Sequence, residues 1–425
     1  MNIQSKLQKT AAEEALTSYF GDMVGQLSGS THIVRMRDNN FAALLKNGLP
    51  TRRVEAWHYT DLRRLLSSVP VQQTDQSASV VAPFVAGSWV VGIRNGVTDA
   101  AMKVPEGVDI SSLSSKLQSG EADAVFRELA ADDAIGQLNG ALVTDGYQIE
   151  IAADTHVDDL LELQFVQTGG QHHSKLPVVF KENSKATIIE RHLSSDDAAA
   201  LVSAVAHIKV EKGAHARWII VQTQGADDTH LGQLNIELAE NAELELYLIN
   251  AGGKLVRQEI VANVEGAQTN LTLRGVNLLS GDTHTDVTLK LGHNTPNTTS
   301  SETFRNVLFD NAKGVFQGQI KVAQIAQKTD AQMACNTLLL SDDADFSAKP
   351  ELEIFADDVI CAHGATVTDI DPTHLFYLMA RGISEKSARG LLVKGFVAEV
   401  VEEFDNEAVV DALEGVISDW LDANG

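Results

Sequence analysis

Through the middle of the chain, apolar and polar residues alternate in short runs that keep returning. Such runs cover Thr187 to Glu190, Arg217 to Gln222, Leu234 to Leu238 and Leu244 to Ile249, then Asn270 to Val276, Asp286 to Leu291 and Val315 to Val322. Neighbouring side chains on a strand point to opposite faces, so each run reads as a strand with one face buried. No long amphipathic helix separates them. Between them recurs a small corner, a Gly, Asn or Asp followed by Ala: Gly213-Ala214, Asn241-Ala242, Gly266-Ala267, Asn311-Ala312, Asp343-Ala344 and Gly364-Ala365. Residues that tolerate positive φ suit tight turns between stacked strands. The irregular spacing of the corners fits the coils of a β-solenoid carrying insertions. A large β-sandwich fits the same pattern.

The flanks carry a different period. Leu7, Ala11, Ala15 and Ser18-Tyr19 recur at helical spacing, and the run Phe41 to Leu45 stops at Asn47-Gly48 before Pro50. A short strand from Ser88 to Ile93 ends at Asn95-Gly96, and the Ala-, Asp- and Leu-rich stretch from Ser112 to Asn139 predicts helix. After Asp371-Pro372 the period turns helical again, with Asp371 as N-cap and proline at the first helical position. Gly382 predicts a stop and Ser384 a second cap. One stripe then runs through Ala388, Leu391, Leu392, Gly395, Phe396, Glu399 and Val400 towards Phe404. A second holds Val409, Val410, Leu413, Val416, Ile417, Trp420 and Leu421. The expected organisation is an N-terminal, mostly helical region over 1–149, a β core over 150–370 and a C-terminal helical region over 371–425.

Composition narrows the function. At 425 residues the chain exceeds one ordinary core. A formal net charge of −25 argues against nucleic acid and anionic membranes, which select basic surfaces. The segment from Met1 to Lys6 has no apolar signal-peptide core, and no run reaches the length of a membrane span, so cytoplasm is the expected compartment. Two cysteines build no disulfide framework and cannot alone ligate a cluster that needs four thiolates.

One of those cysteines defines the candidate site. Cys361 and His363 lie two apart on a strand-like run, hence on one face, preceded by Asp357-Asp358 and followed by Gly364. A thiol and an imidazole side by side make an N/S-type surface for a metal or cluster. Two ligands are fewer than a metal needs, and a buried Cys often packs as a small hydrophobe.

The surrounding wording resembles the SufB/SufD family of the SUF iron–sulfur cluster assembly machinery. The residues that carry it are Lys349-Pro350, Leu352-Glu353-Ile354, Ala356-Asp357-Asp358-Val359, Cys361, and His363-Gly364-Ala365-Thr366-Val367. Leu375-Phe376-Tyr377-Leu378 and Arg381-Gly382-Ile383 follow. Upstream lie Ala326-Gln327-Lys328-Thr329-Asp330-Ala331 and Asn336-Thr337-Leu338-Leu339-Leu340-Ser341. Near the N-terminus the element is Pro50-Thr51-Arg52-Arg53, Glu55, Trp57 and Tyr59-Thr60-Asp61-Leu62. Departures are mild: Ile360 and His58 stand where Lys is usual, Ala362 replaces Ser, and Thr368-Asp369 replaces Gly-Gln. The run Ala362-His363-Gly364-Ala365 is nearer the SufD branch than the SufB branch. Cys335 falls where SufB-type chains tend to carry a functional Cys; a buried core thiol is the plainer alternative.

The resemblance implies a mainly β fold, a right-handed parallel β-helix (solenoid) flanked by N-terminal and C-terminal helical regions. It implies a non-enzymatic scaffold that pairs with a SufB-like subunit through the β-helix and docks a SufC-like ATPase on the C-terminal helices. A homodimer in isolation is left open. A transient iron–sulfur cluster, shared with the partner, would be its cargo. His363 is the expected cluster or iron ligand, with Cys361 second, and Phe396, Val400 and Phe404 are the expected docking positions. The alternative for those three is simple packing onto the β-helix.

Other constellations are weaker. Gly252-Gly253-Lys254 lacks both the spacing and the hydroxyl of a nucleotide-binding loop, and no Gly-x-Ser-x-Gly elbow occurs. His172-His173 reads as a loop, His207, His215 and His230 as surface or satisfied core residues, and Asp196-Asp197 and Asp227-Asp228 as solvated loop tips. Two other function classes remain: a β-solenoid enzyme on carbohydrate or acyl substrates, which predicts carboxylates clustered along one face, and a purely structural SufB partner.

Overall fold

The computed structural model describes residues 9–71, 78–100, 102–126 and 129–424. Alternating strands of one long winding fall into two sheets. The first runs β19 (Ile360–Thr368), β17 (Asp330–Leu339), β15 (Thr299–Leu308), β13 (Asn270–Leu279), β11 (Glu243–Asn250), β9 (His215–Thr223), β7 (Lys185–Ser194), β5 (Leu161–Gln167), β1 (Trp89–Arg94) and β2 (Val97–Thr98). The second runs β18 (Asp345–Ile354), β16 (Lys313–Val322), β14 (His284–His293), β12 (Leu255–Val264), β10 (Thr229–Leu238), β8 (Ala200–Val210), β6 (Gly170–Phe180), β4 (Tyr147–Ile151) and β3 (Val108–Ser112). Neighbours in each sheet pair in parallel, except the antiparallel pairs β1–β2 and β3–β4 at one end. This is a β-solenoid. His215 stands opposite Glu243, Glu243 opposite Asn270, Asn270 opposite Thr299, and Asp330 opposite Ile360. All seven alternating runs lie inside strands of this winding.

The corners work by backbone conformation. Asn183, Gly213, Asn241 and Asp310 take positive φ, a region that Gly and Asn enter at low cost. Their amides bond the next coil: Asn183 N–H donates to the Lys212 carbonyl and Gly213 N–H to that of Glu240. The alanine beside the corner fills the lumen, and Ala214, Ala242 and Ala312 are fully buried. Gly364-Ala365 is no corner; both residues lie inside β19, at the end of the winding.

The lumen is packed with Leu, Ile, Val and Phe from the inward positions of both sheets. One polar column crosses it. Asn250 Nδ2 donates to Asn277 Oδ1 at 2.6 Å, Asn277 Nδ2 to Asn306 Oδ1 at 2.7 Å, and Asn306 Nδ2 to Thr337 Oγ1 at 3.1 Å. These side chains repeat at one place in successive coils, so each amide satisfies the next.

Helices cover the outer faces. α1 (Ala11–Met23), α2 (Thr31–Asn47), α3 (Leu62–Leu65), α4 (Leu113–Ser119) and α5 (Ala134–Leu142) form the N-terminal layer. Thr10 caps α1 with a reciprocal Glu13 bond, and Gly48, at φ 71°, ends α2 where Asn47-Gly48 predicts it. Leu7 lies outside the described residues. Leu138, Phe41 and Trp57 pack with Leu201, Val205, Leu231 and Leu255 on the second sheet. Strands β1 to β3 and the start of β4 belong to the two sheets although they fall within 1–149, the region whose pattern reads as mostly helical apart from the strand Ser88 to Ile93.

α6 (Pro372–Ala380), α7 (Glu385–Val401) and α8 (Glu407–Asn424) form the C-terminal layer. Asp371 caps α6 with proline following, Gly382 has φ 85°, and Ser384 caps α7. α7 and α8 lie on the outward residues Ile219, Tyr247, Val276 and Val307 of the first sheet. This corrects the docking residues read from the stripe. Val400 is 1% and Phe404 4% exposed; Phe404 meets Tyr247 edge-on at 5.1 Å and lies under Arg217. Phe396 is half-buried beneath the Arg305 guanidinium. The buried face of α7 runs through Val393, Val397, Val400 and Val401, and Leu391 faces out. A sheet with apolar residues on both faces needs that cover, which a helical period read alone does not show.

Candidate functional site: the open end of the solenoid

β19 and β18 are the edge strands of the two sheets, so the lumen ends there without a further coil. Inside the winding Ala331, Met333 and Cys335 of β17 point into the core. β19 lies beside them in register, with Cys361 opposite Ala331, His363 opposite Met333 and Ala365 opposite Cys335. Cys361 is half-buried against the core, and strand alternation places His363 on the same lumen side. His363 itself is exposed, because nothing stacks on it from beyond. The strand alternation therefore brings the two sequence-predicted ligands to one face at the mouth of the lumen.

Among the described residues the donor set at this mouth is incomplete: no three His, Cys, Asp or Glu side chains gather in a way that could hold a metal ion. Burial raises the pKa of the Cys361 thiol, and the Asp330 and Glu302 carboxylates push in the same direction, against a hydrogen bond involving the backbone of Ala331. A thiol held protonated is a poor ligand; the imidazole is the readier donor. Asp358 is committed elsewhere, pairing with Lys328, while its N–H donates to Gln327 Oε1 at 2.9 Å. Gly364 has nothing within 4 Å of where a Cβ would sit, so its neighbourhood is open to an approaching group. Cys335 is fully buried, its thiol pushed up to about 12 by desolvation, and accepts from Asn306 Nδ2 at 3.3 Å; it is a core thiol.

Sequence reasoning missed Glu302. It lies on β15 opposite Met333, which lies opposite His363, so the three form one column leading inward from the mouth. It is fully buried, and burial pushes its pKa up to about 8, against the Ser300 hydroxyl and the Arg274 guanidinium, which favour the charged form. Parity was the available signal: Glu302 shares the phase of Ser300, Phe304 and Asn306.

His172, His173, Asp228 and the His192–Glu190 pair are structural. His172 and His173 lie on β6 rather than in a loop, both buried and facing opposite ways; His172 Nε2 contacts the Thr168 carbonyl at 2.9 Å and His173 Nδ1 the Ser203 hydroxyl at 2.8 Å. Asp228 is no solvated tip. It is buried and accepts from the Ser194 hydroxyl, from Ala200 N–H at 2.7 Å and from Gly225 N–H at 3.2 Å. His192 Nε2 lies 2.8 Å from Glu190 Oε1 in the lumen, and Trp218 Nε1 donates to the other oxygen.

Comparison with known proteins bears on this end of the molecule. The family model described as "SUF system FeS cluster assembly, SufBD core domain" matches residues 165–396, which include β19. The chain is 30% identical to the iron–sulfur cluster assembly protein SufD of Escherichia coli, over 86% of this chain and 88% of that one. It is 25% identical to Protein ABCI7, chloroplastic, of Arabidopsis thaliana, over 90% and 85% of the two chains. Identity to the SufB protein of Bacillus subtilis is 26% over 72% and 67%.

Proposed function

We propose a function from one premise: this chain belongs to the SufB/SufD family of the SUF iron–sulfur cluster assembly system. It acts as a scaffold subunit of the assembly complex, in the cytoplasm, turning over no substrate of its own. It pairs with a SufB-like subunit, and a SufC-like ATPase docks on its C-terminal helices. The observation that carries the reading is the open solenoid end, where two edge strands stop beside Cys361 and His363.

Edge strands offer unpaired N–H and C=O groups, and a second solenoid is one way to satisfy them. Around these edges Phe355, Ile360 and Val367 are exposed, an apolar border suited to a partner. A partner there would stack over His363 and add donors beyond the two that the described residues place at this mouth. The nascent cluster is cargo, with the imidazole of His363 as ligand and Cys361 as a secondary one. For the ATPase, the exposed side chains are Phe376, Tyr377 and Met379 on α6 and Leu391 on α7, in place of the packed Val400 and Phe404. No helix among the described residues is long and apolar enough to cross a membrane.

The test is anaerobic purification of the co-expressed complex, scoring subunit ratio and cluster absorbance together. His363→Ala should leave the subunits together and lower cluster content severely; Cys361→Ala should lower it less. Normal cluster content in an intact His363→Ala complex would leave this chain a purely structural partner.

A further inference from the structure

A second concavity lies away from the lumen mouth, between residues 50–66 and the outer face of the second sheet. It is a cleft of about 480 Å³, a size within the usual range for small-ligand sites. Arg52 and Arg64 line it from one wall and Lys313 from the other, and none of the three has a carboxylate partner among the described residues. All three side chains are exposed to the cleft's solvent side. Elsewhere Arg217, Arg257, Arg274 and Arg305 all pair with carboxylates.

The walls are held rigidly. The Thr60 hydroxyl donates to the Asp286 carboxylate and lies 2.9 Å from Nε2 of His284, a buried imidazole that lines the cleft. Asp286 also pairs with the buried Arg257, which donates to the Ala56 carbonyl at 2.8 Å and sits 4.2 Å over the Trp57 ring. Positive potential converges on this wall: beyond the effect of burial, Lys313, Arg257 and Arg52 all disfavour protonation of His284, against Asp286. Two carboxylates also reach the lining. Asp61 is turned to Arg64 N–H at 3.1 Å as the cap of α3, and Asp345 stands opposite Lys313 without forming an ion pair. The Tyr59 ring, edge-on to His58, adds an apolar surface.

We propose that this cleft binds a small polyanion of the diphosphate or tricarboxylate class, held by Arg52, Arg64 and Lys313. Three cations that outnumber the two carboxylates of the lining, none of them held in an ion pair among the described residues, are an arrangement that multi-oxygen anions satisfy, with guanidinium forks giving orientation and the ammonium giving charge. The site lies on the outer face of the sheet, so it goes beyond the cluster-building reading and stands whether or not His363 ligates iron.

The experiment is isothermal titration of the full chain with sodium pyrophosphate and, separately, with citrate, at constant ionic strength. Saturable binding of either at one per chain is expected. Arg52→Glu and Lys313→Glu should each weaken it by about tenfold or more. Lys290→Glu, the same charge change at an exposed position on the same sheet, should leave it unchanged. Pyrophosphate alone would assign phosphate oxygens, citrate alone carboxylates, and both the shared chemistry. Absence of saturation with either anion, or equal weakening by Lys290→Glu, would overturn the site.

Discussion

At the residue scale the most exacting position is Glu302, a carboxyl sealed in the lumen. A charge there is costly, so the group stays protonated in the folded chain to about pH 8, against 4.5 when exposed. Its folded pKa is raised, so its contribution is fully present below pH 4.5 and is lost as pH climbs towards 8. The loss is on the order of 5 kcal/mol. Buried histidines act oppositely: His173 falls to about 3 and His293 to about 4, so they favour the folded state increasingly as pH rises towards 6.5. Between pH 6.5 and 8 the carboxyl's effect therefore stands apart. Urea unfolding across that window should show wild type losing stability and Glu302→Gln holding level. Parallel curves for the two proteins would mean that the carboxyl finds a partner in solution.

At the element scale, α7 and α8 close the first sheet. Phe404 contributes a ring packed on Tyr247 and covered by Arg217, whose guanidinium also pairs with Asp405 and Glu245. Phe404→Ala should cost about 3–5 kcal/mol, because the cavity cannot collapse between a helix and a sheet. Thermal melts should show it, with the C-terminal helices losing amide protection before the solenoid does. Leu391→Ala on the outward face should leave the melt unchanged within about 0.5 kcal/mol while weakening any ATPase partner. The register of α7 was not legible beforehand: its apolar residues, Ala388, Leu391, Leu392, Phe396 and Ala398 with the four valines, lie nearly all round the helix, so only the sheet beneath could select the valine face.

At the scale of the whole molecule, the two ends differ. One is closed by the antiparallel pairs β1–β2 and β3–β4. The other presents β18 and β19 with exposed Ile360 and Val367. Alone in solution such an end should pair with a second copy. Sedimentation velocity should show concentration-dependent association, and Ile360→Lys with Val367→Lys should return the chain to monomer. Association that survives both substitutions would place the contact elsewhere.

Period-two alternation was enough, by itself, to establish the strands, since each inward position must be apolar or satisfied wherever the lumen is dry. Positive-φ residues beside alanine marked corners at Gly213 and Asn241, because only small or Asn-type side chains enter that region cheaply. Caps at Asp371 and Ser384 and the stops at Gly48 and Gly382 were equally local. Cys361 and His363 were legible as a same-face pair, strand parity being a property of the chain alone. What only the tertiary structure decided was proximity across coils. The column from Glu302 through Met333 to His363 spans some sixty residues of sequence. The cleft joins Arg52 to Lys313, and the Thr60 hydroxyl reaches Asp286. Local pattern states which face a side chain takes, but the stacking of coils and the docking of helices choose its neighbours, and the chemistry of a site depends on those neighbours.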